Sequence, residues 1–386
     1  DVERKPKDFE KWKATHQPFH WFAEFYQIIH DKGGFDVIIG NPPYVEYSKV
    51  IKTYSIKGYQ TESCGNLYAY VMEISLDLLK NDGRSGMIVQ LPIVCTDRMK
   101  PLQNEFVNRN NSVWFATFDD RPAKLFDGLE HIRASIVISK KSGTKAKYIY
   151  STNYNRWYSD VRAQLFDLLN FSEILKYVMD GSIPKIGHSF AKSIMKCITS
   201  FTSLKEYLYL RNFGGRIQTC PDQIYFHNAP QYWIRAMDFA PYFWNERDGE
   251  QISTQVKELH LQTKIDASVV VAILNSSLFY WWFIILSDCL HLNLREIENF
   301  PIGLDQISEE IKLQLSLLSE RLMEDLKQHK QRKECQYKAT CKVVYDEFYP
   351  KYSKPIIDEI DKVLAQHYGF TDEELDFIIN YDIKYR

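Results

Sequence analysis

Asn41, Pro42, Pro43 and Tyr44 stand in a row directly after a short apolar run, Val37 to Ile39, that Gly40 stops. Each proline fixes its own φ, and the residue before a proline is held out of the helical region, so the backbone from Asn41 to Pro43 has little freedom. Pro43 has no N–H, so the Pro42 carbonyl is left without a donor from its neighbour. The Asn41 amide oxygen and the Pro42 carbonyl therefore offer two acceptors on a stiff support, suited to an amino group with two hydrogens to give. Tyr44 adds an aromatic face on which a planar base can stack, at about 1–3 kcal/mol.

The elements around this loop read as half of a doubly wound sheet. Phe35 to Gly40 is of strand length, and the loop sits at its carboxyl end, where such sheets carry their sites. Asn66 to Lys80 predicts a helix with Leu67, Tyr70, Val71, Ile74, Leu78 and Leu79 on its apolar face, ended by Asn81-Asp82-Gly83. Met87 to Leu91 predicts a second buried strand. A helix over Arg98 to Val107 and strands over Ser112 to Phe118 and Ala134 to Ser139 follow.

This order of motifs over Pro18 to Lys141 resembles the adenine-specific, amino-methylating DNA methyltransferases, in particular the methylase part of the type IIG restriction-modification enzymes. The resemblance implies that Asn41 and Pro42 hold the exocyclic amine of a flipped adenine, that Pro43 stiffens the loop, and that Tyr44 stacks on the ring. The amine is a poor nucleophile because its lone pair is delocalised. Two acceptors aimed at its hydrogens favour the pyramidal, charge-developing geometry of attack on a methyl sulfonium. The implied cofactor is S-adenosylmethionine and the implied partner is double-stranded DNA. Phe126, in Lys124-Leu125-Phe126-Asp127-Gly128, matches the family's second aromatic against the flipped base; a core phenylalanine is the alternative.

The family's glycine-rich cofactor loop follows its first strand, and residues 1–34 offer no strand followed by Gly-x-Gly; Gly33-Gly34 lies just before the catalytic strand. The expectation is a carboxyl-terminal part of a larger enzyme, with the cofactor half, and by resemblance a nuclease domain, upstream or on a separate chain. The edge of the Val37 to Ile39 strand would then lie unpaired. Two functions stay open: a half of an adenine methyltransferase serving restriction-modification or phage defence, or a non-catalytic DNA-recognition protein that complements a split enzyme.

Between motif and helix, Val45 to Gly65 interleaves Tyr47, Tyr54 and Tyr59 with Lys49, Lys52 and Lys57, a pattern that suits DNA contact or a plain solvated loop. From 151 to 304 short runs alternate with Gly and Pro. Leu274 to Trp281 and Ser287 to Ile302 resemble the ends of TaqI-like target-recognition domains and specificity subunits, and Arg211, Arg216, Arg235, Lys257 and Arg295 are candidate base contacts. Residues 305–386 predict amphipathic helices, with Ile311, Leu315, Leu318, Leu322 and Leu326 on one face and a capping box from Thr371 to Glu374. The fold class expected is α/β: a partial doubly wound, Rossmann-like methyltransferase sheet over 1–150, a mixed α/β recognition domain over 151–304 and carboxyl-terminal helices over 305–386.

Composition adds bounds. A net charge of −2 over 386 residues leaves any DNA contact to a local basic face, and 15% aromatic content supplies packing and stacking surface. Seven scattered cysteines without a Cys-x-x-Cys pair suggest neither a disulfide framework nor a zinc site, which makes the cytoplasm the default compartment. His20 and His30 lack partner ligands at metal-binding spacing. Ala267 to Ser287 is uncharged and long enough to cross a membrane, but Asn275-Ser276-Ser277 interrupts it, so a buried broken helix is expected.

Overall fold

The computed structural model describes residues 6–17, 19–128, 131–209, 223–262, 265–337 and 341–386. The fold is mixed α/β. Six strands, β1 (Phe35–Gly40), β2 (Leu79–Gln90), β3 (Asn110–Phe118), β4 (Ala134–Lys141), β5 (Tyr148–Asn155) and β6 (Ser172–Glu173), form a sheet of order β1-β2-β4-β3-β5-β6. β1 pairs parallel with β2, and β2 pairs antiparallel with β4. The chain divides into two compact units: residues 1–93, 98–115 and 134–150, and residues 94–97, 116–133 and 151–386.

In the first unit, α1 (Pro6–His16) is an exposed helix. Trp21–Glu24 (α2) and a π-helical turn over Gln27–Asp31 follow, and Phe25 packs edge-on against Phe35 of β1 with ring centroids 5.2 Å apart. α3 (Leu67–Leu78) matches the expected helix. Asn66 caps it through its side-chain oxygen, which satisfies one of the orphan N–H groups of the first turn. Its buried face differs from the expected one: Tyr68, Ala69, Met72, Ser75 and Leu76 are buried, while Leu67, Val71 and Ile74 are only half-buried. The apolar positions run nearly all round the helix, so spacing alone does not choose the inward side.

Asn81-Asp82-Gly83 does not separate α3 from the next strand as expected. β2 starts at Leu79, and its register against β1 jumps from Phe35↔Leu79 to Val37↔Arg84, so the turn residues between form an irregularity inside the strand. Gly34 makes this junction possible: at φ +124° it lies where an added Cβ would come within 2.5 Å of the Leu78 carbonyl oxygen. α4 (Lys100–Arg109) then leads into β3.

In the second unit, α5 (Ser189–Ile198) precedes a three-stranded sheet of order β11-β7-β8, with β7 (Gln223–His227), β8 (Ala236–Met237) and β11 (Val256–His260). β9 (Phe243–Asn245) and β10 (Gly249–Glu250) belong to a second sheet, completed by β12 (Gln331–Tyr337) and β13 (Cys341–Glu347) in the order β10-β9-β13-β12. α6 (Ala267–Asn275) and α7 (Ser277–Leu286) are the broken helix foreseen at Ser276, bent by 64°. Trp281, Trp282, Phe279 and Phe283 of α7 are fully buried. No single helix among the described residues is long and apolar enough to cross a membrane.

α8 (Leu294–Glu298) is short, and α9 (Glu309–His329), α10 (Lys354–Tyr368) and α11 (Asp372–Ile379) supply the expected carboxyl-terminal helices. The region is not wholly helical, because the β12–β13 hairpin separates α9 from α10. Leu315, Leu318, Leu322 and Leu326 of α9 are buried as their spacing predicts, and α9 packs on α6 and α10.

Candidate active-site loop

The Asn41–Tyr44 segment leaves the carboxyl end of β1 as the sequence predicts, and its anchors lie within the first unit. Asn41 and Pro43 are exposed, Pro42 is buried and Tyr44 is half-buried. The Tyr44 hydroxyl donates to the Ile88 carbonyl of β2 at 2.9 Å, and its ring meets that of buried Tyr68 on α3 edge-on at 6.4 Å. Burial pushes the Tyr44 hydroxyl pKa up to about 12, so the group stays a neutral donor.

The backbone beyond the motif is pinned to the start of α3. Leu67 N–H donates to the Val45 carbonyl at 2.9 Å and Tyr47 N–H to the Gly65 carbonyl at 2.8 Å. Between them Glu46 accepts from the Asn66 amide at 3.1 Å and pairs with Arg98. Partial burial opposes the Glu46 charge, but Arg98 and Asn66 together hold its carboxyl below the usual range. Loop, helix cap and Arg98 thus form one hydrogen-bonded unit behind Tyr44.

The following loop is also built. The Glu73 carboxylate, buried on α3, accepts from Gln60 N–H at 2.9 Å, Thr61 N–H at 2.9 Å and the Thr61 hydroxyl at 2.7 Å. Ile56 N–H donates to the Tyr47 hydroxyl at 2.9 Å. Lys49, Lys52 and Lys57 remain exposed on this ordered loop. Sequence reasoning missed Glu73. The available signal was a carboxylate one position from the apolar residues Met72 and Ile74 in a helix of otherwise apolar character.

The remaining candidates fall elsewhere. Phe126 is part-exposed in the loop between β3 and β4, in the second unit. Arg211 and Arg216 lie outside the described residues. The Arg295 guanidinium bonds Asp97 at 2.9 Å, Glu296 at 2.9 Å and the Cys95 carbonyl, so it ties the Cys95–Asp97 segment to the start of α8. Arg235 is likewise largely turned inward, with Nη2 3.4 Å from the Ala229 carbonyl, and burial lowers its pKa. Lys257 is exposed on β11.

Methylases as a class take the methyl group from S-adenosylmethionine. Neither Gly33 nor Gly34 supplies the cradle such a donor needs, since Gly34 is packed against the backbone of Leu78 to Lys80 and Gly33 precedes β1 instead of following a strand, and an added Cβ at Gly40, next to the motif, would meet the Met87 sulfur at 3.3 Å. Among the described residues these glycines do not fit the methyl donor. No cluster of three or more metal-ligating side chains occurs among the described residues.

Residues 2–126 match the family described as Eco57I restriction-modification methylase. A protein of Methanocaldococcus jannaschii described as a type II restriction enzyme and methyltransferase is 39% identical over 83 residues, which are 22% of this chain and 6% of that relative's length. Among solved structures, a DrdV–DNA complex aligns over 97% of this chain and 58% of its own, with a TM-score of 0.39 and 10% identity. The type IIG restriction endonuclease BpuSI aligns over 89% and 54%, with a TM-score of 0.30 and 10% identity. The likeness to restriction-modification methylases therefore lies in residues 2–126, about the first third of the chain, and the chain spans only a small part of the curated relative's length.

Proposed function

We propose that this chain supplies the catalytic loop for methylation of the exocyclic amine of adenine in double-stranded DNA, as part of a restriction-modification enzyme. The observation that carries the reading is the placement of the Asn41 amide, exposed at the carboxyl end of β1, beside a Tyr44 ring whose hydroxyl is tied back to Ile88. A target adenine turned out of the duplex stacks on Tyr44 and donates its two amine hydrogens to the Asn41 side-chain oxygen and the Pro42 carbonyl. These fixed acceptors stabilise positive charge as it grows on the amine nitrogen, without needing to reorganise. S-adenosylmethionine, when bound, supplies the methyl group. The surplus proton leaves to solvent after transfer, so no general base is required.

Lys49, Lys52 and Lys57 on the Glu73-ordered loop would meet DNA phosphates. The type IIG assignment, base flipping and the cytoplasmic setting belong to the same reading.

Asn41→Ala in the enzyme that contains this chain tests it through transfer of a labelled methyl group to duplex DNA. We expect a loss of at least about 100-fold, the range seen when a transition-state hydrogen-bond partner is removed, with DNA binding intact. Methylation at the parent rate would remove the proposed roles of Asn41 and Pro42. The open edge of β1 favours a second reading, in which the chain completes a partner that carries the cofactor half; a mixing experiment in which activity appears only with both parts supports it.

A further inference from the structure

β11 pairs with β7 along one side, and at its end Leu261 bridges Leu208 on the other. Beside it opens a cleft of about 530 Å3, within the size range of small-ligand sites. Tyr209 N–H binds the His260 carbonyl at 3.0 Å, and Leu292 N–H binds the Asn228 carbonyl at 2.8 Å, so both bordering segments are attached to the sheet. The cleft is lined by the buried apolar side chains Leu208, Phe226, Leu259 and Leu292. Its polar lining comes from Asn228, Lys257, Glu258, His260, Asn293 and Glu298.

His260 is the unexplained group. It is only 7% exposed, and among the described residues neither ring nitrogen has a hydrogen-bond partner. The Glu258 carboxylate stands 3.6 Å from Nε2, beyond a good hydrogen bond. A buried imidazole left this way loses its hydration without replacement, and a ligand that bonds it recovers that loss. With Glu258 on the Nε2 side, the imidazole proton is favoured there and Nδ1 is left as an acceptor. The two carboxylates of the cleft are acceptors as well. The matching ligand has flat apolar faces and an edge that donates.

We infer that this cleft binds a nucleobase bearing an exocyclic amine, adenine, cytosine or guanine, with His260 and Glu258 reading the amine and exposed Lys257 meeting the phosphate. The cleft's place in target recognition rests on the DNA-methylation reading; its chemistry does not.

Histidine-selective NMR of the full chain tests it, with His260→Gln assigning the ring signals. AMP and CMP should shift the His260 resonances at millimolar concentration, with UMP and inorganic phosphate at least tenfold weaker. Lys257→Ala, an exposed substitution, should weaken AMP at least threefold while the chain stays folded. A shift on adding a duplex oligonucleotide assigns the base to DNA, and a shift with mononucleotides alone assigns it to a free nucleotide. No His260 shift with any nucleotide, or an equal shift with phosphate alone, would overturn the inference. Asn41→Ala should leave the His260 shifts unchanged, so loss of methylation and loss of base binding are separable.

Discussion

The Tyr44 hydroxyl and the Ile88 carbonyl, 2.9 Å apart, join the motif to the strand next to the one that carries it. This bond fixes the ring's direction without using its face, and so separates two functions of one side chain. Tyr44→Phe keeps the stacking face and loses the anchor. We expect it to cost about 0.5–1.5 kcal/mol of stability, read from the urea midpoint, with a modest fall in methyl transfer. Tyr44→Ala removes both and should cut transfer far more. Equal losses for the two variants would mean that anchoring, not stacking, is what Tyr44 contributes.

The anchor also has a pH signature. The folded-state pKa of Tyr44, about 12, lies above the ordinary 10.0, so the unfolded chain gives up this proton first as pH rises. Its contribution is complete below pH 10.0 and is lost toward pH 12, with stability falling across that window. Comparing urea midpoints of the parent and Tyr44→Phe at pH 9 and pH 11 should show their difference shrinking; a constant difference would contradict the burial argument.

Glu73 gives a prediction for a residue with no place in the motif. Its carboxylate accepts three hydrogen bonds from Gln60 and Thr61, which orders the lysine-bearing loop against α3. Glu73→Gln replaces one acceptor oxygen by a donor and leaves a buried N–H facing backbone donors. The expected cost is about 1.5–3 kcal/mol. Proteolysis should then begin between Lys49 and Lys57, and loop resistance equal to the parent's would refute the assignment.

Asp361 supplies a pH test in the second unit. Buried on α10, it accepts from Ser277 and Leu278 N–H at the start of α7, each at 3.2 Å. Burial pushes its pKa from 3.8 up to about 7. Its contribution is therefore complete below pH 3.8, falls as pH rises toward 7 and is level above. Asp361→Asn lacks this titration. The stability of the parent relative to the variant should drop between pH 5 and pH 8; a rise would reverse the sign argued here.

Legibility in the sequence followed how local each signal is. The loop after β1, the break at Ser276 and the Thr371–Glu374 capping box depend on a few neighbouring residues, and all appear where the sequence places them. The β12–β13 hairpin was missed because its strands, Gln331–Tyr337 and Cys341–Glu347, are rich in charge and lack a long apolar alternation. Its pairing to β9 is what gives it a place. The tie made by Arg295 was not visible for a related reason: its partners Asp97 and Cys95 lie about two hundred residues away in the chain. No local pattern carries such a contact, and the same holds for Glu73, whose role is visible only once the loop folds back onto α3.

The free edge of β1 makes the last prediction. β1 ends the sheet, and Val37 and Ile39 are 57% and 78% exposed, far more than central-strand aliphatic residues. Ile138 of β4, 44% exposed, extends apolar surface within the same unit. An apolar strand edge with unpaired N–H and C=O groups is a template for another strand. The chain should therefore self-associate when isolated, and a partner that adds a strand beside β1 should suppress this. Ile39→Lys places a charge on the exposed side without touching Asn41, Pro42 or Tyr44. In sedimentation velocity the parent should show concentration-dependent association, and Ile39→Lys a shift of several-fold toward monomer. A parent that sediments as a monomer at every concentration would show that this edge is already protected, and would also weaken the case for a complementing partner.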